Sequence, residues 1–282
     1  MLFFFVSSFL AALFSITSCY FNVFILFSIL YLKRIPVKSS MSLIYYKLGI
    51  DAFYTLSLFF NKLYSILMKI SADSSIRNLI FYLIWISTSL GNLRATVALL
   101  ISFERAVATL FPVFYHNYRQ KLSNCIVWFL IILLILFDQY MLFGFCDVVI
   151  DTPLDCYNFL CTMNQCYATY WLSHERIFSF SNVFFSAVVS FRLFIWNHFF
   201  STQVSNTISR ATRNALFDSF IVIAFNVIPN FMFASFYTII LEKVGELTVA
   251  TKTAGFMIEA LITFQILFGS KKVGPAVVTP QS

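Results

Sequence analysis

Residues 2–32 contain no charged side chain. An α-helix rises 1.5 Å per residue, so about 20 apolar residues cross the roughly 30 Å hydrocarbon core of a bilayer. The stretch is therefore long enough to span a membrane. It has no basic residue ahead of it and is about twice as long as the apolar core of a signal peptide. Both features favour a first membrane-spanning helix over a cleaved signal peptide.

The composition of the whole chain points the same way. Apolar residues make up 60% and charged residues 11% of the 282 residues, and the mean hydropathy is +0.84. Soluble domains average about 45–50% apolar and about 25% charged residues. A soluble enzyme, a nucleic-acid-binding domain and a disordered scaffold are therefore excluded. We expect most of the chain to lie in a lipid bilayer, and we expect no nucleic-acid partner.

Six further apolar stretches follow the first. The predicted membrane spans are residues 2–32, 42–60, 78–102, 126–145, 178–196, 215–241 and 247–268. We expect an all-α membrane protein in which residues 1–268 form one seven-transmembrane helix bundle. Residues 269–282 are predicted to be a short cytoplasmic tail.

The charged residues between the spans predict the orientation. With the N-terminus outside, the inner segments hold nine basic residues and the outer segments five. The acids of the connecting segments all fall outside, at Asp73, Asp147, Asp151, Asp155, Glu175, Glu242 and Glu246. Cytoplasmic loops carry an excess of Lys and Arg. We therefore expect the N-terminus outside and the C-terminus inside, and this topology also explains the net charge of +7.

The third span ends in the sequence LLISFERAVATLFPVFYHNYRQK. Glu104 and Arg105 lie at its predicted cytoplasmic end, and Pro112 follows. An acid–Arg pair with a proline at this offset resembles the Asp/Glu-Arg-Tyr motif of rhodopsin-like receptors, although Ala106 replaces the tyrosine. The resemblance implies that Glu104, Arg105 and Pro112 take part in activation and in coupling to a heterotrimeric G protein. The alternative is an arginine that only extends to the membrane interface.

Three further segments carry a closer resemblance: DCYNFLCTMNQCYATYWLSHERI, YHNYRQKLSN and ISRATRNALFDSF. They are similar to the nematode serpentine receptors of class bc, within the rhodopsin-like superfamily. This implies a G-protein-coupled chemosensory receptor for an unknown small molecule, in the plasma membrane of a sensory neuron, with no enzymatic activity and no cofactor. The chain departs from the broader pattern: residues 77–82 contain no cysteine, and span seven lacks an Asn-Pro-x-x-Tyr motif. Pro229 is the predicted helix kink of span six.

Four polar residues are predicted to lie at one depth. Counting from the cytoplasmic boundaries places Asn22, Asp51, Arg94 and Glu259 about 15–17 Å deep, near the middle of the bilayer. We expect Arg94 to pair with either Asp51 or Glu259. Such a layer could join the helices through polar contacts, act as a conformational switch or contact a ligand.

Other polar residues of the spans have simpler interpretations. Lys47, Arg192 and Lys252 are expected to extend towards the membrane interfaces. Asp138 lies in the outer half of span four, where it could face a ligand cavity.

Four of the six cysteines, Cys146, Cys156, Cys161 and Cys166, lie in one predicted outer segment. An even set on the oxidising side of a membrane predicts two disulfides, with three possible pairings. A zinc site is the alternative, but spacings of ten, five and five residues do not match a Cys-x-x-Cys knuckle. No metal site and no catalytic residue is predicted.

A G-protein-coupled chemosensory receptor is the leading functional hypothesis. The alternatives are a seven-span ligand-gated channel and a small-solute transporter. A channel of the insect odorant-receptor kind would have its N-terminus inside, against the charge distribution. Only seven glycines occur, too few to favour the broken helices of transporters.

Overall fold

The computed structural model describes residues 2–33, 42–71, 76, 78–113, 115, 124–153, 156, 159–199, 220–221, 223–229 and 241–268. Their architecture is all-α, and no strand occurs among these residues. The α-helices are α1 (Leu2–Leu30), α2 (Ser42–Ile70), α3 (Leu79–Leu110), α4 (Asn124–Gln139), α5 (Phe159–Thr162), α6 (Gln165–Phe199) and α7 (Leu241–Phe268). Two π-helical turns lie at Tyr140–Phe145 and Ile223–Val227. The predicted tail, 269–282, and most of predicted span six lie outside the described residues.

Four helical stretches are long and apolar enough to cross a bilayer. They are Leu2–Leu30, Leu79–Leu110, Trp128–Phe145 and Leu247–Phe268. Helices α2 and α6 are similarly long, at 29 and 35 residues. Both continue past the predicted spans 42–60 and 178–196. As a result Glu175, assigned above to a connecting segment, lies within α6, and Lys62 and Lys69, two of the five outer basic residues counted above, lie within α2.

Small residues let α1 pack closely against α2 and α7. Ser8, Ala11, Ser15 and Ser18 are fully buried, and Asn22 continues their stripe. Their spacing of three and four residues keeps them on one helical face. Small side chains allow the backbones of membrane helices to approach, which increases their packing contacts. The opposite face of α1 exposes large apolar side chains such as Phe9 and Phe27, as expected for contact with lipid.

Both ends of α3 have identifiable causes. Asn78 precedes the helix with a φ of 63°, a left-handed conformation that asparagine tolerates better than most residues. Its Oδ1 accepts hydrogen bonds from the backbone N–H of Thr152, at 3.0 Å, and from the Thr152 hydroxyl, at 3.1 Å. At the other end Phe111 leaves the helical conformation, with φ −127° and ψ 63°. The next residue is Pro112, whose ring disfavours a helical conformation in the residue before it.

A compact cluster covers the predicted outer end of the bundle. It joins the start of α3 to the π-helical turn after α4 and to the start of α6, and its buried members are Ile80, Phe81, Ile84, Leu142, Cys146, Val148, Cys156, Met163 and Tyr167. The hydrogen bonds of Asn78 attach the same segment to α3. The start of α3 has no cysteine that could form a disulfide with this segment. Packing and hydrogen bonds therefore make the connection.

The second π-helical turn lies in predicted span six, immediately before Ile228 and Pro229. It packs against α7 at Gly255, where an added Cβ would lie 2.7 Å from the Cβ of Phe225. Only glycine fits this contact without movement of its neighbours. The turn and the predicted kink at Pro229 therefore lie next to each other.

Candidate functional site

Arg94 on α3 contacts both of its predicted partners. Its Nε donates to Asp51 Oδ1 on α2 at 2.7 Å, and its Nη2 donates to Glu259 Oε2 on α7 at 2.5 Å. Arg94 and Asp51 are 8% and 6% exposed. The planar guanidinium can donate in two directions at once, which a lysine ammonium does with less defined geometry. The ion pairs therefore join three helices rather than two.

Lys47 adds a second cation to this layer. Its Nζ forms an ion pair with Glu259 Oε1. The expectation that Lys47 extends to the membrane interface is wrong, because its side chain is 11% exposed and paired. Lys47 lies four residues before Asp51, so both project from the same face of α2. The two basic and two acidic groups balance in charge, which lowers the cost of burying them.

Asn22 lies beside the charged layer but does not hydrogen-bond to it in the described residues. Its Nδ2 donates to Ser18 Oγ at 3.4 Å, and Ser18 Oγ donates to the carbonyl of Phe256 at 3.2 Å. These contacts connect α1 to α7. Asn22 thus contributes to helix packing at the depth where the sequence predicted a polar layer.

An inner cavity of about 90 Å³ lies on the Lys47 side of the layer. Asn22, Asp51, Arg94 and Glu259 line it, together with Arg105 near the end of α3. Four of these five residues are the predicted polar layer, and the fifth is the arginine of the predicted coupling motif. The cavity therefore connects the two groups of residues that the sequence singled out separately.

An outer cavity of about 60 Å³ lies on the other side of Arg94. Arg94 and Phe256 line both cavities. They are also in contact, with Cζ of Arg94 4.1 Å from the centroid of the Phe256 ring, a cation–π distance. These two side chains form the partition between the cavities.

The wall of the outer cavity includes an ion pair between α6 and α7. Lys252 Nζ pairs with Glu175 Oε1, and the side chains are 13% and 17% exposed. Lys252 Nζ also lies 5.4 Å from the centroid of the Trp171 ring. The expectation that Lys252 extends to the interface is therefore wrong, because it pairs with a partly buried acid on another helix. The two residues are 77 positions apart, and no motif or shared predicted depth linked them in the sequence.

The predicted coupling motif lies at the end of α3. The Tyr115 hydroxyl donates to Glu104 Oε1 at 2.8 Å. This contact was not predicted, although Tyr115 follows Pro112 by three residues. Pro112 is exposed and lies directly after the break in α3.

A second polar cluster, around Asp138, was missed. Asn92 Nδ2 donates to Asp138 Oδ1 at 2.8 Å, and the Tyr167 hydroxyl donates to the same atom at 3.4 Å. Asp138 is 4% exposed. An aspartate in an otherwise apolar span was the available signal, but its partners on α3 and α6 depend on packing. These hydrogen bonds connect α3, α4 and α6, and none of them involves a basic side chain.

The four outer cysteines form two disulfides, Cys146–Cys166 and Cys156–Cys161. The predicted disulfides are thus confirmed, and the structure selects one of the three pairings. Cys166 lies in the first turn of α6, so the first bond ties this helix to the π-helical turn after α4. The remaining described free cysteine, Cys19, is buried. No group of three or more His, Cys, Asp or Glu side chains is placed to hold a metal ion within the described ranges.

Comparison with known families gives one match. The model of the family described as serpentine type 7TM GPCR chemoreceptor Srbc matches residues 1–271. The match confirms the resemblance found in the sequence and covers nearly the whole chain. No curated protein matches significantly.

Proposed function

Because the chain belongs to the Srbc family of serpentine seven-transmembrane chemoreceptors, we propose that it is a G-protein-coupled chemosensory receptor of the plasma membrane in a sensory neuron. It binds a small chemical cue in the outer half of the helix bundle and signals through a heterotrimeric G protein. The family is one of receptors, not of enzymes.

The single observation that carries this proposal is the shared partition between the two cavities. A ligand in the outer cavity contacts Arg94 or Phe256, and the same side chains line the inner cavity with Arg105. A ligand shifts a conformational equilibrium only through contacts that differ between the two states. Movement of Arg94 supplies such a difference, because it changes the ion pairs of α2, α3 and α7 together.

Glu259 is the acid through which the rearrangement takes place. It contacts Lys47 with one oxygen and Arg94 with the other. When Arg94 leaves Glu259 but stays with Asp51, Glu259 keeps a cation partner in Lys47, so the rearranged state does not leave a bare buried carboxylate. The layer can therefore have two arrangements of comparable energy, which a switch requires.

At the inner end, Arg105 is the residue that the G protein contacts in the active state. Glu104 and Tyr115 hold the resting arrangement of this segment through their hydrogen bond. Pro112, exposed directly after the break in α3, is part of the surface that the G protein contacts.

The test uses basal signalling, because it needs no known ligand. Glu104→Gln should raise basal G-protein activation several-fold, measured as dissociation of a panel of heterotrimeric G proteins in cells that express equal surface amounts of each variant. Arg105→Ala in the Glu104→Gln background should return the signal to that of cells without receptor. Arg192→Ala, which removes an arginine from α6 instead, should leave the raised signal unchanged.

Two results would contradict the proposal. If Glu104→Gln and Arg105→Ala both signal like the wild type with every G protein, the motif is only an interfacial anchor. If the receptor carries ionic current in cells that lack heterotrimeric G proteins, the alternative of a ligand-gated channel is correct. Uptake of a small solute without either signal would support the transporter alternative.

A further inference from the structure

One face of α6 forms much of the outer cavity wall. Trp171, Glu175, Phe178, Ser179 and Asn182 all line it. Their positions, four, seven, eight and eleven residues after Trp171, place them on the same face of the helix. The rings of Trp171 and Phe178 and that of Phe256 from α7 supply apolar surface beside the charged side chains. The cavity thus offers a mostly apolar wall with a few polar atoms, as small-molecule sites do.

Glu175 has an unsatisfied acceptor in this wall. Its Oε1 binds Lys252, but its Oε2 is buried and has no hydrogen-bond partner among the described residues. A buried carboxylate oxygen without a donor costs free energy, so such atoms are rare outside sites that complete the hydrogen bond in another way. A ligand with an O–H or N–H group supplies the missing donor.

The charges around the cavity select against a charged ligand. Lys252 already balances Glu175, and Arg94 is balanced within its layer by Asp51 and Glu259 with Lys47. A ligand ammonium group would be attracted to Glu175 but repelled by Lys252, and a ligand carboxylate would meet the reverse. Either would lose its hydration without a free counter-charge. A neutral molecule avoids this cost.

The size of the cavity limits the ligand further. Its volume of about 60 Å³ is less than half of the roughly 150 Å³ of an engineered cavity that binds benzene. A molecule of a few heavy atoms therefore fits without repacking of the wall. A short alkyl chain with one donor matches both the volume and the apolar surface.

We propose that the outer cavity recognises a small neutral molecule with one hydrogen-bond donor, such as a short-chain alcohol, whose donor binds Glu175 Oε2 and whose apolar part packs on Trp171 and Phe178. This inference rests on the proposed receptor function and names the chemical class of its ligand. Lys252 is a positioning residue, because it orients the Glu175 carboxylate and cancels its charge.

The experiment compares two isomers of the same composition, ethanol and dimethyl ether, with the full-length receptor in lipid nanodiscs. Only the alcohol can donate a hydrogen bond. Saturation-transfer NMR titrations should show the alcohol binding roughly tenfold more tightly than the ether, the usual contribution of one hydrogen bond. Ethylammonium and acetate ions, tested in parallel, should bind more weakly than the alcohol.

Two variants serve as controls. Glu175→Leu with Lys252→Met removes the ion pair as a unit, which avoids a stranded charge, and should bind alcohol and ether equally. Ala95→Leu fills the cavity from α3 and should bind none of the probes; it also corrects for alcohol that dissolves in the lipid.

Each other result overturns the inference. Equal binding of alcohol and ether to the wild type, or stronger binding of either ion, refutes the proposed ligand class while keeping the outer cavity as a site. Binding that is the same for the wild type and Ala95→Leu removes the outer cavity as the site of these probes. Failure of the receptor function itself would be seen separately, in the basal signalling of Glu104→Gln.

Discussion

Arg94 shows how one buried charge organises its surroundings. An unpaired arginine in the middle of a bilayer is costly, so its helix must be oriented to meet an acid. Here two acids on two different helices meet it, and a second cation, Lys47, balances the extra negative charge. The geometry distinguishes the two acids. When Arg94 is removed, Glu259 retains its ion pair with Lys47. Asp51 loses the ion pair that the structure describes for it, which is the one with Arg94.

This difference yields a prediction for Arg94→Leu. Alone, it should reduce stability by roughly 3–5 kcal/mol, because it leaves a buried acid stranded. Adding Asp51→Asn should recover more of the loss than adding Glu259→Gln does. Thermal denaturation of purified receptor in detergent measures both double-mutant cycles. Additive losses in both would show that the groups are not coupled.

Tyr115 is a second residue with a specific expectation. Tyr115→Phe removes only the hydroxyl that donates to Glu104. If this bond holds the resting state, the variant should raise basal G-protein activation in the same direction as Glu104→Gln, and the double variant should add little to either. Tyr64→Phe, which removes a hydroxyl at the far end of α2, is the matched control and should leave basal signalling unchanged.

At the scale of elements, contacts between helices depend on single positions. Gly255 admits the π-helical turn of predicted span six against α7, whereas an added Cβ at Gly245 on the same helix meets no other described element within 4 Å. The start of α3 similarly depends on Asn78. Its side chain joins this helix to the segment around Thr152, where the sequence has no cysteine on α3 for a disulfide. Each contact joins elements that are distant in sequence.

The two glycines of α7 form a matched pair. Gly255→Ala should destabilise the receptor by about 1–3 kcal/mol, because the new methyl group overlaps Phe225. Gly245→Ala should be neutral or stabilising by up to about 1 kcal/mol, because alanine favours the helix. Melting temperatures of the two variants in the same detergent test this. Equal effects would mean that the turn does not pack against α7 as closely as described.

Asn78 gives a prediction for the attachment of the outer cluster. Asn78→Ala removes the acceptor for Thr152 and leaves alanine in a left-handed conformation, so stability should fall by about 1–3 kcal/mol. Asn78→Asp keeps the acceptor oxygen and should lose less. Limited proteolysis of the segment between α4 and α6 should be faster in Asn78→Ala. Identical cleavage of all three proteins would show that these hydrogen bonds do not hold the segment.

At the scale of the whole molecule, the arrangement is layered along the bundle. A disulfide-linked cluster covers one end, an outer cavity follows, and a charged layer separates it from an inner cavity that Arg105 lines. This order suits a receptor that takes up a signal at one face of a membrane and responds at the other. The proposed orientation, with the N-terminus outside, places the disulfides on the oxidising side.

The orientation can be tested on intact cells. After mild reduction, a membrane-impermeant thiol reagent should label the segment from Cys146 to Cys166, and the variant in which these four cysteines are replaced by serine should lose the label. A tag after Lys272 should be reached by antibody only in permeabilised cells. The reverse pattern would overturn the orientation and with it the proposed signalling direction.

The sequence by itself determined the membrane class, the family and the common level of three charged residues of the polar layer. Hydropathy is a local property and the helical rise is constant, so counting residues placed Asp51, Arg94 and Glu259 at one level. The even number of outer cysteines likewise indicated two disulfides. These conclusions need no knowledge of which helices are neighbours.

Only the tertiary structure decided the partners. The rotation and packing of the helices bring both acids to Arg94. They also pair Lys47 with Glu259 and Lys252 with Glu175. Asn92 and Tyr167 meet Asp138 in the same way. The cysteine pairing follows from the path of the chain between α4 and α6, which spacing left open. Contacts between residues tens of positions apart depend on the relative placement of whole helices, and no local pattern in the sequence encodes that placement.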